Sequence, residues 1–231
     1  DLIATFRDGA TYQWDASAGT GTRAARLTNS PYLSRLSIVS VPDRHLICFG
    51  TQTTIATSGN QDDVYFRWAS QESLTDWTPT TTNTSGSLRI GDGSKIIGAT
   101  KSRGAILVWT DTALHSLQFI GPPYTFGLQQ LGANCGLVAQ HACVDVKGVS
   151  FWMSQNGFFI YDGAVKQLGC TVQDYVFSTL DPSGQNDIYC GVNTDFHEVI
   201  WFYPDTTSYN NLINKYVIYN YVDQVWTVGT M

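Results

Sequence analysis

With 231 residues, 43% of them hydrophobic and 13% aromatic, the chain is long enough to bury one sizeable all-β core. Only 14% of residues are charged and the net charge is −6, which argues against a nucleic-acid binder that works by neutralising phosphates. No stretch approaches the ~18 apolar residues of a membrane helix, so no membrane partner is expected, and a chain that opens on Asp1 reads as cut from something longer.

In chain order, Leu2–Phe6 leads through Asp8-Gly9 into Thr11–Trp14, with Ala24–Leu27 as a candidate outer strand. Leu33–Val41 reads as a strand that Pro42-Asp43 turns into Arg44–Phe49. The Ser/Thr/Gly-rich segment Thr51–Asp63 is a loop before the strand Val64–Trp68. Ala69–Pro79 is a compact turn in which Ser70 or Ser73 could cap one helical turn. Ser87–Ile90 closes that unit. The third unit runs from Lys95–Ala99 through Ala105–Trp109 and Ala113–Ile120 to Phe126–Gly132, broken by Gly121-Pro122-Pro123-Tyr124. The fourth runs from Leu137 to Gly169 and holds the clearest hairpin signal, two aromatic runs around Asn156-Gly157, a pair suited to the φ > 0 positions of a type I′ turn. Val172–Phe177 is the best helical candidate. Asp187–Gly191, Glu198–Tyr203, Lys215–Tyr221 and Val225–Val228 make the fifth unit.

The unit repeats. Phe6, Phe49, Trp109, Trp152 and Trp201 sit at matching places, at intervals of about 40 to 60 residues. Several short strands per interval predict an all-β fold, a β-propeller of about five small antiparallel blades, forming a single domain over residues 1–231. A sandwich or another all-β barrel is the alternative. The aromatic positions should lie on equivalent strands where blades meet. Units two to five each have an apolar strand before the aromatic one, and unit one does not. The first blade should therefore be incomplete, lacking the strand that would precede Leu2–Phe6.

Chemistry-bearing constellations are sparse. Cys48, Cys135, Cys143, Cys170 and Cys190 form no CxxC pair and read as buried thiols, with Cys135–Cys143 as the one conceivable bridge. His45, His115, His141 and His197 lack partners at metal-ligand spacing. Asp195-Phe196-His197-Glu198 reads as a solvent-facing turn rather than a metal site. Gly91-Asp92-Gly93 lacks the lysine of a phosphate loop, and Asn83-Thr84-Ser85 matters as a sequon only in a secreted eukaryotic protein. No catalytic, metal-binding or cofactor-binding residue is assigned, and the chain is expected to be non-enzymatic. Tyr65, Phe66, Trp68 and Trp77 with Arg67 could stack a sugar, though strand alternation more simply buries them. Pro122, Pro123, Tyr124 and Phe126 form a rigid apolar loop and are the candidate subunit contact.

Phe66–Pro79, Leu107–Phe119 with Gly121-Pro122-Pro123-Tyr124, and Val217–Tyr221 resemble, as a string, the tail nozzle or tail tubular proteins of short-tailed bacteriophages. The resemblance runs from about Arg44 to Met231. It implies a virion structural protein carrying a propeller. Such a subunit would belong to a homo-oligomeric, usually hexameric, ring beneath the portal and adaptor, assembled in the host cytoplasm. DNA would leave the capsid through that ring without sequence-specific binding. The family's proteins are much longer, so the chain resembles their propeller domain alone, and the family has no catalytic residue to carry over. The alternative function is a glycan-binding propeller used for host attachment. A sialidase-like propeller would show Ser-x-Asp-x-Gly-x-Thr-Trp boxes, and none is present.

Overall fold

A computed structural model describes residues 1–41, 43–55 and 57–231. The turn at Pro42 and the middle of the Thr51–Asp63 loop, at Ala56, lie outside the described residues.

Strands take 46% of the chain and helices 8%, within the low helix content that the repeat demands. Among the described residues the strands form five antiparallel sheets, each a meander of consecutive strands. The first holds β1 (Leu2–Thr5), β2 (Thr11–Trp14) and β3 (Ala25–Arg26). The second holds β4 (Leu36–Val39), β5 (Leu46–Phe49), β6 (Tyr65–Trp68) and β7 (Gly86–Arg89). The third holds β8 (Ile96–Ser102), β9 (Ala105–Thr110), β10 (Ala113–Gly121) and β11 (Thr125–Ala133). The fourth holds β12 (Cys143–Val146), β13 (Val149–Ser154), β14 (Gly157–Tyr161) and β15 (Val165–Leu168). The fifth holds β16 (Tyr189–Asn193), β17 (Glu198–Tyr203), β18 (Lys215–Asn220) and β19 (Val225–Thr230). A helix, α1 (Gln173–Thr179), links the last two sheets and covers Phe158 with Phe177. Among the described residues no helix is long and apolar enough to cross a membrane.

Successive sheets meet through their first strands: β1 on β4, β4 on β8, β8 on β12 and β12 on β16. This is a propeller-like arrangement. A sandwich would instead need strands that switch between two packed sheets. Each small sheet buries its faces only against its neighbours, so the cores lie between sheets. Trp109, Trp152 and Trp201 occupy the second strands β9, β13 and β17 and are fully buried, as is Phe49 on β5. The Trp152 indole donates to the Cys135 carbonyl (2.8 Å) and that of Trp201 to the Ala142 carbonyl (3.0 Å). Both bonds tie a strand to the segment entering the fourth sheet. The aromatics do not share one direction. Trp109 meets Trp152 edge-on at 5.5 Å, between the third and fourth sheets, whereas Trp201 turns back onto Phe158 at 4.9 Å.

The first sheet departs from the sequence reading. Phe6 is 65% exposed and stands outside the aromatic column. Leu2–Thr5 does not take second place beside a missing inner strand. It occupies the inner place itself, against β4, where Thr5 and Ser37 share a hydrogen bond of 2.7 Å. Gly9, in the turn after β1, and Ser34 form an antiparallel bridge, while His141 and Tyr189 bridge the fourth and fifth sheets in parallel. The first sheet is short of a strand as expected, but on its outer side, beyond β3.

Turn chemistry also redistributes. At the fourth sheet's aromatic hairpin the two-residue loop is Gln155–Asn156, closed by the pair Ser154↔Gly157, and none of these has φ > 0. A Cβ at Gly157 would meet only the movable end of the Gln167 side chain, at 2.7 Å. Within this sheet two successive positive φ values fall instead at Lys147-Gly148 (54° and 89°), which joins β12 to β13 as a type I′ pair. Ser73 caps the Ala69–Pro79 turn, accepting from the amides of Thr75 and Asp76, but no helical turn forms there.

The loop after β17 is held by one carboxylate. Asp205 accepts from the Asn214 amide (2.8 Å), and from the hydroxyl and backbone amide of Thr207 (2.6 and 2.9 Å). Those bonds, Asn214 first, hold its carboxyl below the ordinary 3.8, with Lys215 adding to them. A depressed folded pKa stabilises above the unfolded value and is lost as pH falls through the folded one. Asp205→Asn should therefore lower the urea midpoint at pH 7, and the gap to wild type should narrow below about pH 4. A gap that stays constant from pH 7 to pH 3 contradicts this assignment.

Candidate interaction surface

In a four-stranded meander the turns between strands one and two, and three and four, fall at one end. The residues preceding β4, β8, β12 and β16 share a single cavity at the opposite end, so the four sheets point the same way. The turns therefore collect into two faces. The face made by the one–two and three–four turns carries Val41, Tyr124, Phe196 and Val222, which are 66%, 75%, 67% and 60% exposed. Ile120 and Phe119 add to it. These groups make the face a candidate interaction surface, while Tyr209 and Leu212, in the loop between β17 and β18 at the other end, are 80% and 63% exposed.

The most prominent part is an arm. Strand β9 pairs with β10 only along Leu114–Leu117, while β10 and β11 stay paired on to Gly121 and Thr125. The hairpin from Gln118 to Gly127 thus extends past its own sheet, tipped by exposed Pro122, Pro123 and Tyr124. Its base is locked to the second sheet. Phe126 packs edge-on against Trp68 and His45, both at 5.2 Å, and the Thr125 hydroxyl donates to the Thr84 carbonyl (3.0 Å). Phe126 is 3% exposed, which removes it from the candidate contact. The sequence could not show this, because Trp68 and His45 reach it from another sheet.

Beneath the arm, His45 is fully buried. Its Nδ1 lies 2.8 Å from Asp43 and its Nε2 lies 3.0 Å from the Thr84 hydroxyl, and the Ser40 hydroxyl donates to the same Asp43 oxygen. The order carboxylate, imidazole, hydroxyl is that of a nucleophilic triad. Here it fastens three loops. The Thr84 hydroxyl also accepts from the Gln71 amide (2.9 Å), and His45 has no surface open to solvent.

The clefts on this face lie between sheets. One of about 260 Å³ runs between the second and third, from Ser40 and Val41 to Phe119. Another of about 450 Å³ lies between the fourth and fifth, with Phe151 and Ile160 as its apolar floor and Asp162, His197 and Tyr221 at its rim. His197 Nδ1 is 3.4 Å from the Tyr221 hydroxyl. The other sequence candidates resolve as packing. Phe66, Trp68 and Trp77 are buried, and Arg67 donates to the Thr53 carbonyl (2.9 Å) across the Tyr65 ring.

The four histidines lie in four sheets and do not converge. His115 is buried near Asp92 (3.8 Å); burial lowers its pKa, opposed by Asp92. Among the described residues no three His, Cys, Asp or Glu side chains gather around a common metal position. The five cysteines are free thiols. Burial pushes Cys48 up to about 11 and Cys143 up to about 12, so neither is a thiolate nucleophile at neutral pH.

No known family model matches the chain, and no curated protein matches it. Among solved structures it is similar to a mutant of the apocarotenoid oxygenase of Synechocystis, at 8% identity and a TM-score of 0.46. The match covers 100% of this chain and 57% of that one. The neighbour is an enzyme, so the expectation of a non-enzymatic chain is withdrawn. At this degree of likeness the match carries no argument for an activity, and none is assigned.

Proposed function

We propose that the chain is a structural part of a short-tailed phage virion, a propeller within the nozzle-like ring through which DNA is ejected. The observation that carries this reading is the apolar turn face with its projecting Pro122-Pro123-Tyr124 arm. The Leu107–Tyr124 string, which ends in that arm, is among the residues that resemble nozzle proteins. A surface patch that fits a different patch on the next copy generates a closed ring when the rotation closes. Here the arm is the projecting half of such a contact, and the inter-sheet clefts on the same face are its receiving half. The same face would meet other tail proteins such as the adaptor. A net charge of −6 suits a wall that DNA slides past without being held.

The exposed aromatics are expected to act on assembly and not on folding. Tyr124→Ser combined with Phe196→Ser should weaken self-association about tenfold or more in sedimentation experiments, with the urea midpoint unchanged. Unchanged association contradicts the assignment of this face.

A second reading, glycan binding for host attachment, is favoured by one observation. Tyr221, His197 and Asp162 together offer a ring face and polar groups at the rim of the 450 Å³ cleft. Saturable binding of an oligosaccharide, lost in Tyr221→Ala, would select it.

A further inference from the structure

We infer that the axis of the molecule, at the end opposite the apolar face, is a binding site for a small tetrahedral oxyanion such as phosphate or sulfate. All five sheets contribute to one small cavity there. Arg7 follows β1, Arg35 precedes β4, Lys95 precedes β8, Gln140 lies before β12 and Asn186 before β16. Its volume is about 40 Å³. A single water needs roughly 10–15 Å³ on this measure, so a tetrahedral ion fits and a nucleic-acid strand does not.

The polar chemistry of the cavity is one-sided. Three cations meet two carboxylates, and both carboxylates belong to Arg35: Asp63 at 2.9 Å from its Nη2 and Asp8 at 3.8 Å from its Nε. That leaves Arg7 and Lys95 without an acidic partner among the described residues. Arg7 crosses the axis to donate to the Gln140 side-chain oxygen (3.4 Å), which leaves the Gln140 amide nitrogen as a donor. Among the described residues the Arg35 Nε–H is buried with no hydrogen-bond partner, the Asp8 carboxylate staying beyond hydrogen-bond reach at 3.8 Å. An orphaned guanidinium donor, two unneutralised cations and the Gln140 amide want an acceptor with several lone pairs. An oxyanion supplies these, through charge-assisted hydrogen bonds that are short and strong.

The test is calorimetric titration of the protein with inorganic phosphate at constant ionic strength. One saturable site per chain is expected, with displacement by sulfate and not by chloride. Arg7→Gln and Lys95→Gln should each weaken phosphate about tenfold. Lys166→Gln, which removes a cation paired with Asp162 on the outer β14–β15 hairpin, should leave affinity unchanged. Both axial residues are exposed, so equal urea midpoints will confirm intact folds. Should a variant misfold, phosphorus-31 line broadening on the wild type, reversed by sulfate, decides the matter. Absence of saturable binding, an equal loss in Lys166→Gln, or retention of DNA without free phosphate would each overturn the proposal.

Discussion

Gly136→Ala should cost at least about 3 kcal/mol and can abolish folding outright. A Cβ at Gly136 would overlap the Asp111 carbonyl and lie 2.6 Å from the Thr112 amide nitrogen. These are backbone atoms, so no rotamer change relieves the clash. The segment cannot slide either. On one side the Cys135 amide donates to the Thr112 carbonyl (3.0 Å), and on the other the Leu137 amide donates to the Thr110 carbonyl (3.1 Å). The glycine serves close approach, where the chain leaving the third sheet lies flat on that sheet's turn. Gly169→Ala, with nothing near its added Cβ, should stay within about 0.5 kcal/mol of wild type. Urea denaturation of the two variants checks this. Comparable losses would contradict the placement of residues 135–137.

The second large effect is at Trp201. Truncation to alanine removes a fully buried indole from between Phe158 and Trp226 (4.9 and 6.1 Å). Large aromatic deletions in cores cost about 3–5 kcal/mol, roughly a 10 °C fall in Tm for a domain of this size. A finer comparison separates packing from hydrogen bonding. Trp201→Phe leaves the Ala142 carbonyl without its indole donor, whereas the Trp109 indole has no partner to lose. Trp109→Phe should therefore be the milder change by about 1 kcal/mol. The reverse order in thermal unfolding would mean that the two tryptophans are not packed as described.

The repeat was legible because it is local. A strand ending in Trp, a turn and a second apolar strand are neighbours in sequence, so their alternation and punctuation show without tertiary knowledge. What eluded the sequence depends on distant partners. The direction in which Trp109, Trp152 and Trp201 face is settled between sheets, where Trp109 and Trp152 meet. Asn156-Gly157 carries a strong turn signal, yet Phe158 fills the inter-sheet core while Phe159 stacks on Trp152, and the loop sits one residue back. Leu2–Thr5 has the apolar look of a second strand, but contact with β4 puts it at the axis. Phe126 reads as loop surface until Trp68 and His45 arrive from the second sheet. Of the candidate contact, the exposure of Pro122, Pro123 and Tyr124 was legible, because a Pro-Pro-Tyr hairpin tip has nowhere local to bury itself. The axial cations were not recoverable. Residues 7, 35 and 95 carry no motif, and only the stacking of sheets brings them to one cavity.

Electron microscopy of the intact purified protein tests the central claim most directly. A tail-ring subunit predicts closed rings around a lumen wide enough for duplex DNA, with the apolar turn face and its Tyr124 arm buried between neighbouring copies. Isolated propellers at high protein concentration, with that face free to solvent and Tyr221 saturably engaged by an oligosaccharide, would contradict it.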